Sequence, residues 1–164
     1  MINSQLENLY IKYHREVYLY ALSLCRNYHQ AQDLVSETFF KALLSLDKDT
    51  PYIKYWLFKV CKNLFLDTSR MNKEYNTMDS LEDLLATEET PLNKVIDNEE
   101  KKQLYYLIMN LPHSYREIII LYYYCDFTIK EIAKTTGLKY GAAKTLLFRA
   151  RKKLKDMLEG QYEF

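Results

Sequence analysis

The sequence predicts an all-α protein of two small helical domains joined by an acidic linker, and three observations carry that expectation. Apolar residues recur at spacings of three and four along the chain, the period of helices that bury one stripe. Only three glycines and three prolines interrupt 164 residues, and no stretch calls for a sheet. Charge then divides the chain: residues 1–71 hold nine basic and seven acidic side chains, residues 72–101 three against nine, and residues 102–164 eleven against six. The net charge of +1 conceals that division.

The first helix is expected over 4–26, with Leu6, Leu9, Tyr13, Val17, Tyr20 and Leu24 on its buried stripe and Asn27 ending it. A second, over 30–45, buries Ala31, Leu34, Val35, Thr38, Phe39 and Leu43, which turns Asp33, Glu37, Phe40 and Lys41 outward. Two carboxylates four residues apart serve catalysis only in a pocket that perturbs their pKa values, so on an open face they suit a partner of opposite charge better. After the polar turn LDKDT, Thr50 and Pro51 have the chemistry of an N-cap and an N1 proline, opening a third helix that runs to about residue 70. Its inner stripe is Leu57, Val60, Cys61 and Leu64. Tyr52, Tyr55, Trp56, Lys59, Lys62, Asn63 and Arg70 form a mixed aromatic and basic surface, which is the combination that stacks unpaired bases while neutralising phosphate. Trp56 fits equally well as a core anchor, because tryptophan is buried on average even where its edge is exposed.

Residues 72–101 are rich in Asn, Thr, Asp and Glu with weak apolar pattern, as expected of an acidic linker, although SLEDLL has the makings of one helical turn. The C-terminal part is organised around TIKEIAKTTGLKYGAAKTLLFRARKKLK, residues 128–155. Thr128 and Glu131 form a capping box, Ile129, Ile132 and Ala133 share one face, and Gly137 supplies the left-handed residue that ends a short helix. A second helix starts near Tyr140 and buries Ala143, Leu147, Ala150, Leu154 and Met157, leaving Gly141, Thr145, Phe148 and Lys152 outward. From 139 to 155 there are seven Lys or Arg and no acid. Small residues at Gly141 and Ala142 keep the start of this helix slim enough for a major groove about 12 Å wide. Box, glycine, turn and one-signed helix together read as a helix-turn-helix that binds DNA.

A hydrophobic content of 48% suffices for real cores. No run approaches the roughly 18 apolar residues of a membrane span, and MINSQLENLY lacks a signal peptide's basic start and apolar core, so cytoplasmic location without membrane insertion is expected. Cys25, Cys61 and Cys125 are odd in number and lack CxxC spacing, which argues for reduced, buried thiols. Cys25 and His29 share an i, i+4 helical spacing, but nothing nearby completes a tetrahedral set, and no metal or other cofactor is expected. Without a Walker loop, a metal cluster or paired acids in a cleft, the chain is not expected to be an enzyme.

Two separated segments resemble the promoter-binding domains of bacterial sigma factors of the extracytoplasmic-function type. AQDLVSETFFKAL at 31–43 and YWLFKVCKNLFLDTSR at 55–70 are similar to sigma domain 2, and LPHSYREIIILYYYCDFTIKEIAKTTGLKYGAAKTLLFRARKKLK at 111–155 is similar to sigma domain 4. Helix-turn-helices are common, but the ordered pair is specific and, with the linker, covers nearly the whole chain. The resemblance implies that residues 1–71 bind core RNA polymerase and recognise and melt the minus-10 element, that 72–101 is a linker threading toward the polymerase RNA exit path, and that 102–164 recognise the minus-35 element.

Carried onto this sequence, the resemblance puts Asp33, Glu37, Phe40 and Lys41 on the polymerase-binding helix. Single-stranded minus-10 DNA would meet Tyr52, Tyr55, Trp56, Lys59, Lys62 and Asn63, with Asn63 and the loop from Asp49 to Tyr52 holding a flipped base. Double-stranded minus-35 DNA would meet Lys139, Tyr140, Lys144, Thr145, Phe148, Arg149 and Lys152. An anti-sigma factor is a further partner that family habit implies. The chain departs from the family at the start of the reading helix, where Ser-Glu-Gly-Thr-Val is common and this sequence has Lys139, Tyr140, Gly141, Ala142 and Ala143, and at Leu146, where a basic residue is common. Its preferred minus-35 sequence is expected to differ accordingly. The competing reading is a helix-turn-helix regulator acting as a dimer on two half-sites without polymerase.

Overall fold

The computed structural model describes residues 2–45, 52–71, 96 and 98–162. Regular structure among the described residues is helical throughout. The chain divides into two compact units, Met1–Met78 and Asp79–Phe164.

The first unit is a three-helix bundle of α1 (Ile2–Cys25), α2 (Tyr28–Ser45) and α3 (Ile53–Met71), each packed on the other two. Burial follows the predicted stripes in part: on α3 Val60 is half-buried and Phe58, not on the predicted stripe, is fully buried, and the end of α1 from Val17 to Cys25 is buried on all sides. Val17, Tyr20 and Leu24 of α1 meet Ala31, Leu34, Val35 and Phe39 of α2 and Leu57, Phe58, Cys61 and Leu64 of α3 in one core. The Tyr20 and Phe58 rings lie 5.1 Å apart. Thr38 is fully buried and its hydroxyl donates to the Leu34 carbonyl at 2.6 Å, so its polar atom enters the core already satisfied. Leu6, Leu9 and Tyr13 are half-buried, as the outer end of a long helix should be.

Three further expectations need correction. Asn27 does not end α1: Arg26 takes the left-handed conformation (φ 54°) that ends it. Asn27 is the N-cap of α2, its side-chain oxygen accepting from the Gln30 amide at 3.0 Å, so α2 begins two residues early. Cys25 and His29 accordingly fall on different helices and lose their shared face. Leu43 is 39% exposed while Ala42 is 1% exposed. Ala42 continues the spacing of Ala31, Leu34, Val35, Thr38 and Phe39, whereas Leu43 sits about 110° from the middle of that stripe at 100° per residue. The Thr50–Pro51 start of the third helix lies outside the described residues.

The second unit contains α4 (Glu99–Ile108), α5 (His113–Ile119), a π-helical turn at Ile120–Tyr124, α6 (Ile129–Thr136) and α7 (Tyr140–Tyr162). Asn98 caps α4, accepting from the amides of Glu100 at 2.9 Å and Lys101 at 3.3 Å, with Glu99 and Glu100 in the first turn complementing the helix dipole. Thus the last residues assigned to the linker begin a helix, while residues 72–95 lie outside the description. Arg116 is buried, yet its guanidinium donates to the carbonyls of Leu111 at 3.3 Å and Met109 at 3.5 Å, pinning the α4–α5 turn. The Cys125 amide closes the π turn onto Ile120 at 3.1 Å. Helix α7 packs on α5 and α6 through Ala143, Leu147 and Ala150, all at most 1% exposed, so two small residues let the backbones approach. All three cysteines are buried and none forms a disulfide.

Candidate DNA and partner interfaces

The helix-turn-helix forms through the caps its sequence specifies. The Glu131 amide donates to the Thr128 hydroxyl at 3.1 Å and the Thr128 amide donates to the Glu131 carboxylate at 2.9 Å, completing the box. Gly137 ends α6 at φ 78° with its amide on the Ala133 carbonyl at 3.0 Å. With Ala143, Leu147 and Ala150 facing inward, Lys139, Tyr140, Lys144, Thr145, Phe148, Arg149 and Lys152 are all exposed. Phe148 is 68% exposed and Tyr140 56%, two aromatic side chains among the basic groups of this face. The Thr145 hydroxyl donates back to the Gly141 carbonyl at 3.0 Å, which commits its proton to the helix.

Arg151, counted among the basic residues of the helix, turns to a different task. Its Nε donates to the Tyr123 hydroxyl at 2.6 Å and its guanidinium lies 5.0 Å from the Tyr122 ring centroid, clamping α7 to the π turn. That pairing spans 28 residues and has no local sequence signal.

On α3 the predicted aromatic and basic residues share one face. At 100° per residue, Tyr52, Tyr55, Trp56, Lys59, Lys62 and Asn63 fall within an arc of about 120°. Tyr52 is 70% exposed and holds a left-handed backbone at φ 64°, its ring stacked on Tyr55 at 5.7 Å. Its carbonyl accepts from the Trp56 amide at 3.2 Å. Lys59 and Asn63 are exposed, while Tyr55, Lys62 and Trp56 are half-buried. Trp56 is thus neither fully buried in the bundle nor fully exposed. Of the proposed base-holding loop, residues 49–51 lie outside the described residues, as does the Arg70 side chain.

On α2, Asp33, Glu37, Phe40 and Lys41 are exposed. Asp33 and Glu37 border a groove closed on the α3 side by Phe65, Thr68 and Ser69, so the acid pair stands beside hydroxyls and an aromatic floor. Phe40 is 58% exposed, and Leu43 and Leu44, at 39% and 69%, extend its apolar surface along the last turn. Those two leucines were missed as surface residues, and the only signal for them was the better fit of Ala42 to the buried stripe. Among the described residues no group of three or more His, Cys, Asp or Glu is arranged to hold a metal, and no helix is long and apolar enough to cross a membrane.

Comparison with known proteins matches residues 9–74 to the sigma-70 region 2 family and residues 101–154 to the sigma-70 region 4 family. The chain is 33% identical to the ECF RNA polymerase sigma factor SigM of Bacillus subtilis, over 93% of this chain and 94% of that one. It is 31% identical to RNA polymerase sigma factor SigV of the same organism, covering 88% and 85% respectively. Among solved structures, the fold is similar to the sigma factor RpoE of Bartonella quintana, solved with the anti-sigma factor NepR, at a TM-score of 0.72 and 22% identity over 94% of this chain and 97% of that one. CnrH, solved with the cytosolic domain of CnrY, gives a TM-score of 0.65 at 21% identity, covering 96% and 90%.

Proposed function

The chain belongs to the extracytoplasmic-function sigma factors of the sigma-70 superfamily, and we propose that its work is divided among three exposed faces on α2, α3 and α7. As a member of that family it binds core RNA polymerase and directs promoter-specific initiation of transcription. It contributes recognition rather than chemistry of its own and acts in the cytoplasm.

Helix α7 reads the minus-35 element in the major groove through Lys139, Tyr140, Lys144, Thr145, Phe148, Arg149 and Lys152. The α3 face holds the unpaired minus-10 strand, with Trp56 and the Tyr52–Tyr55 stack as platforms, Lys59 and Lys62 as phosphate partners and Asn63 as a hydrogen-bonding group for a base. Asp33 and Glu37, with Phe40 and Lys41 beside them, engage polymerase. In this division residues 1–71 act on polymerase and the minus-10 element, residues 102–164 act on the minus-35 element, and the acidic stretch between them is the tether. An anti-sigma factor is a further partner, supported by the complexes in which RpoE and CnrH were solved.

The observation that carries this reading is the outward face of α7, where a phenylalanine 68% exposed stands among Lys144, Arg149 and Lys152 with no acid. A dimeric regulator working without polymerase is not favoured, since both sigma regions are present in order. The test is transcription in vitro from a promoter selected with the chain and core polymerase. Initiation should require the chain, the core enzyme and intact minus-35 and minus-10 elements, and specific transcription surviving loss of the minus-35 element would remove α7 from this role.

A further inference from the structure

The start of α7 carries a shallow, open depression on the face proposed for the major groove, where Thr145 and Arg149 are joined by residues that reading leaves without a task. It is lined by Leu138, Gly141, Ala142, Thr145, Leu146 and Arg149. Gly141 adds no side chain to it, and a Cβ placed there meets nothing within 4 Å, so the space above Gly141 is open. Its walls are carbon. Leu138 is 37% exposed, Leu146 is half-buried, and Ala142 supplies only a methyl group. Thr145 has committed its hydroxyl proton to the Gly141 carbonyl at 3.0 Å. Arg149 alone brings a charge, at the rim.

Base edges in the major groove present donors, acceptors and one apolar group, the C5-methyl of thymine. An apolar hollow on a helix otherwise armed with Lys139, Lys144, Arg149 and Lys152 desolvates a donor or acceptor at a cost, but takes up a methyl group favourably. We propose that this depression is a specificity pocket for the 5-methyl group of thymine in the minus-35 element, with Gly141 as the residue that opens it. Arg149 at its rim is then placed to hydrogen-bond the neighbouring base or phosphate. The assignment rests on α7 being the minus-35 reader and adds which base it selects and by what group.

The test uses the full chain assembled with core polymerase. A minus-35 element is first selected from randomised duplexes, and each thymine on either strand is then replaced singly by deoxyuridine, which removes only the methyl. Burying one methyl is worth about three- to fivefold in affinity, so one thymine, or two adjacent ones, should show about that loss and the others none. Gly141→Ser fills the hollow with a hydroxyl and, given the open space, leaves the helix intact; it should erase the thymine–uracil difference at that position while circular dichroism and affinity for core polymerase stay unchanged. The pocket is refuted if no uracil substitution matters although one element is selected, if the selected element has no thymine, or if the difference persists in Gly141→Ser, which would place the methyl against Phe148 instead. Selection of no minus-35 element at all would overturn the reading helix itself and the pocket with it.

Discussion

Reversing the acid pair on α2, Asp33→Lys with Glu37→Lys, separates a partner face from a structural one. Neither side chain lies on the buried stripe, and both are exposed, so no desolvated charge is created in the free protein. Two carboxylates at i, i+4 repel by about 0.2–0.5 kcal/mol and two lysines there by a similar amount, so that exchange cancels, while Glu37→Lys also turns the i, i+4 attraction to Lys41 into a repulsion of about the same size. Both positions lie beyond the first turn of a helix starting at Tyr28 and more than a turn before its end at Ser45, where the helix dipole has little effect. Stability should therefore change by about 1 kcal/mol or less. Binding is a different matter. If the groove with Thr68 and Ser69 closes over cationic side chains of polymerase, the pair is desolvated and its loss costs about 2–5 kcal/mol, roughly 30- to 5,000-fold in Kd. If the acids only rim the contact, the change appears mainly in on-rate and shrinks at high salt. The assay is affinity of the double variant and wild type for core polymerase at two salt concentrations, with circular dichroism as the control for helicity. Unchanged affinity with intact helicity would remove this face from polymerase binding, and a collapsed fold would show that the two acids are structural.

Other outcomes follow from the remaining faces. Lys144→Ala or Arg149→Ala should weaken binding to the minus-35 element by about 1–3 kcal/mol while core binding survives; loss of polymerase affinity with DNA affinity retained would contradict the role of α7. Asn63→Ala should impair promoter opening more than closed-complex binding, read as reduced permanganate reactivity of minus-10 thymines and rescued by a premelted template, and equal reactivity at matched occupancy would count against it. Burial pushes the Cys61 thiol from 9.0 up to about 12, opposed by its hydrogen bond with Thr38 and aided by Cys25. The folded thiol thus keeps its proton where the unfolded one ionises, so its contribution to stability is intact below about pH 9 and is lost as pH rises toward 12. Urea midpoints from pH 8 to 10.5 should fall more steeply for wild type than for Cys61→Ala, and parallel slopes would refute this.

Much of the architecture was legible because it is written in local chemistry. The capping box at Thr128 and Glu131 and the left-handed Gly137 fix α6 by contacts within four residues, and the inward stripe of α7 follows from a helical period that neighbours cannot alter. The exposed positions of Asp33, Glu37, Lys144 and Phe148 come from the same geometry, since whatever is not on the stripe faces out. Local rules failed where two local solutions competed. Asn27 suits either end of a helix, and the left-handed turn at Arg26, a residue without the usual preference for it, assigned Asn27 to capping α2. Leu43 and Ala42 are neighbours on α2, and hydrophobicity favoured the wrong one.

The sequence by itself determined α1, α2, α3, α6 and α7, much of their inward stripes, the one-signed basic face of α7 and the resemblance to an ordered pair of sigma regions, because each depends on residues within a turn or two of one another or on a pattern along the chain. Tertiary structure alone decided that Trp56 is shared between core and surface, since that depends on how far α1 and α2 cover α3. It also decided that Arg151 is clamped by Tyr122 and Tyr123 across 28 residues, and that Phe65, Thr68 and Ser69 stand beside the acid pair. Those features are distances between residues remote in sequence, or the shape left between them, and they come into being only when the helices pack.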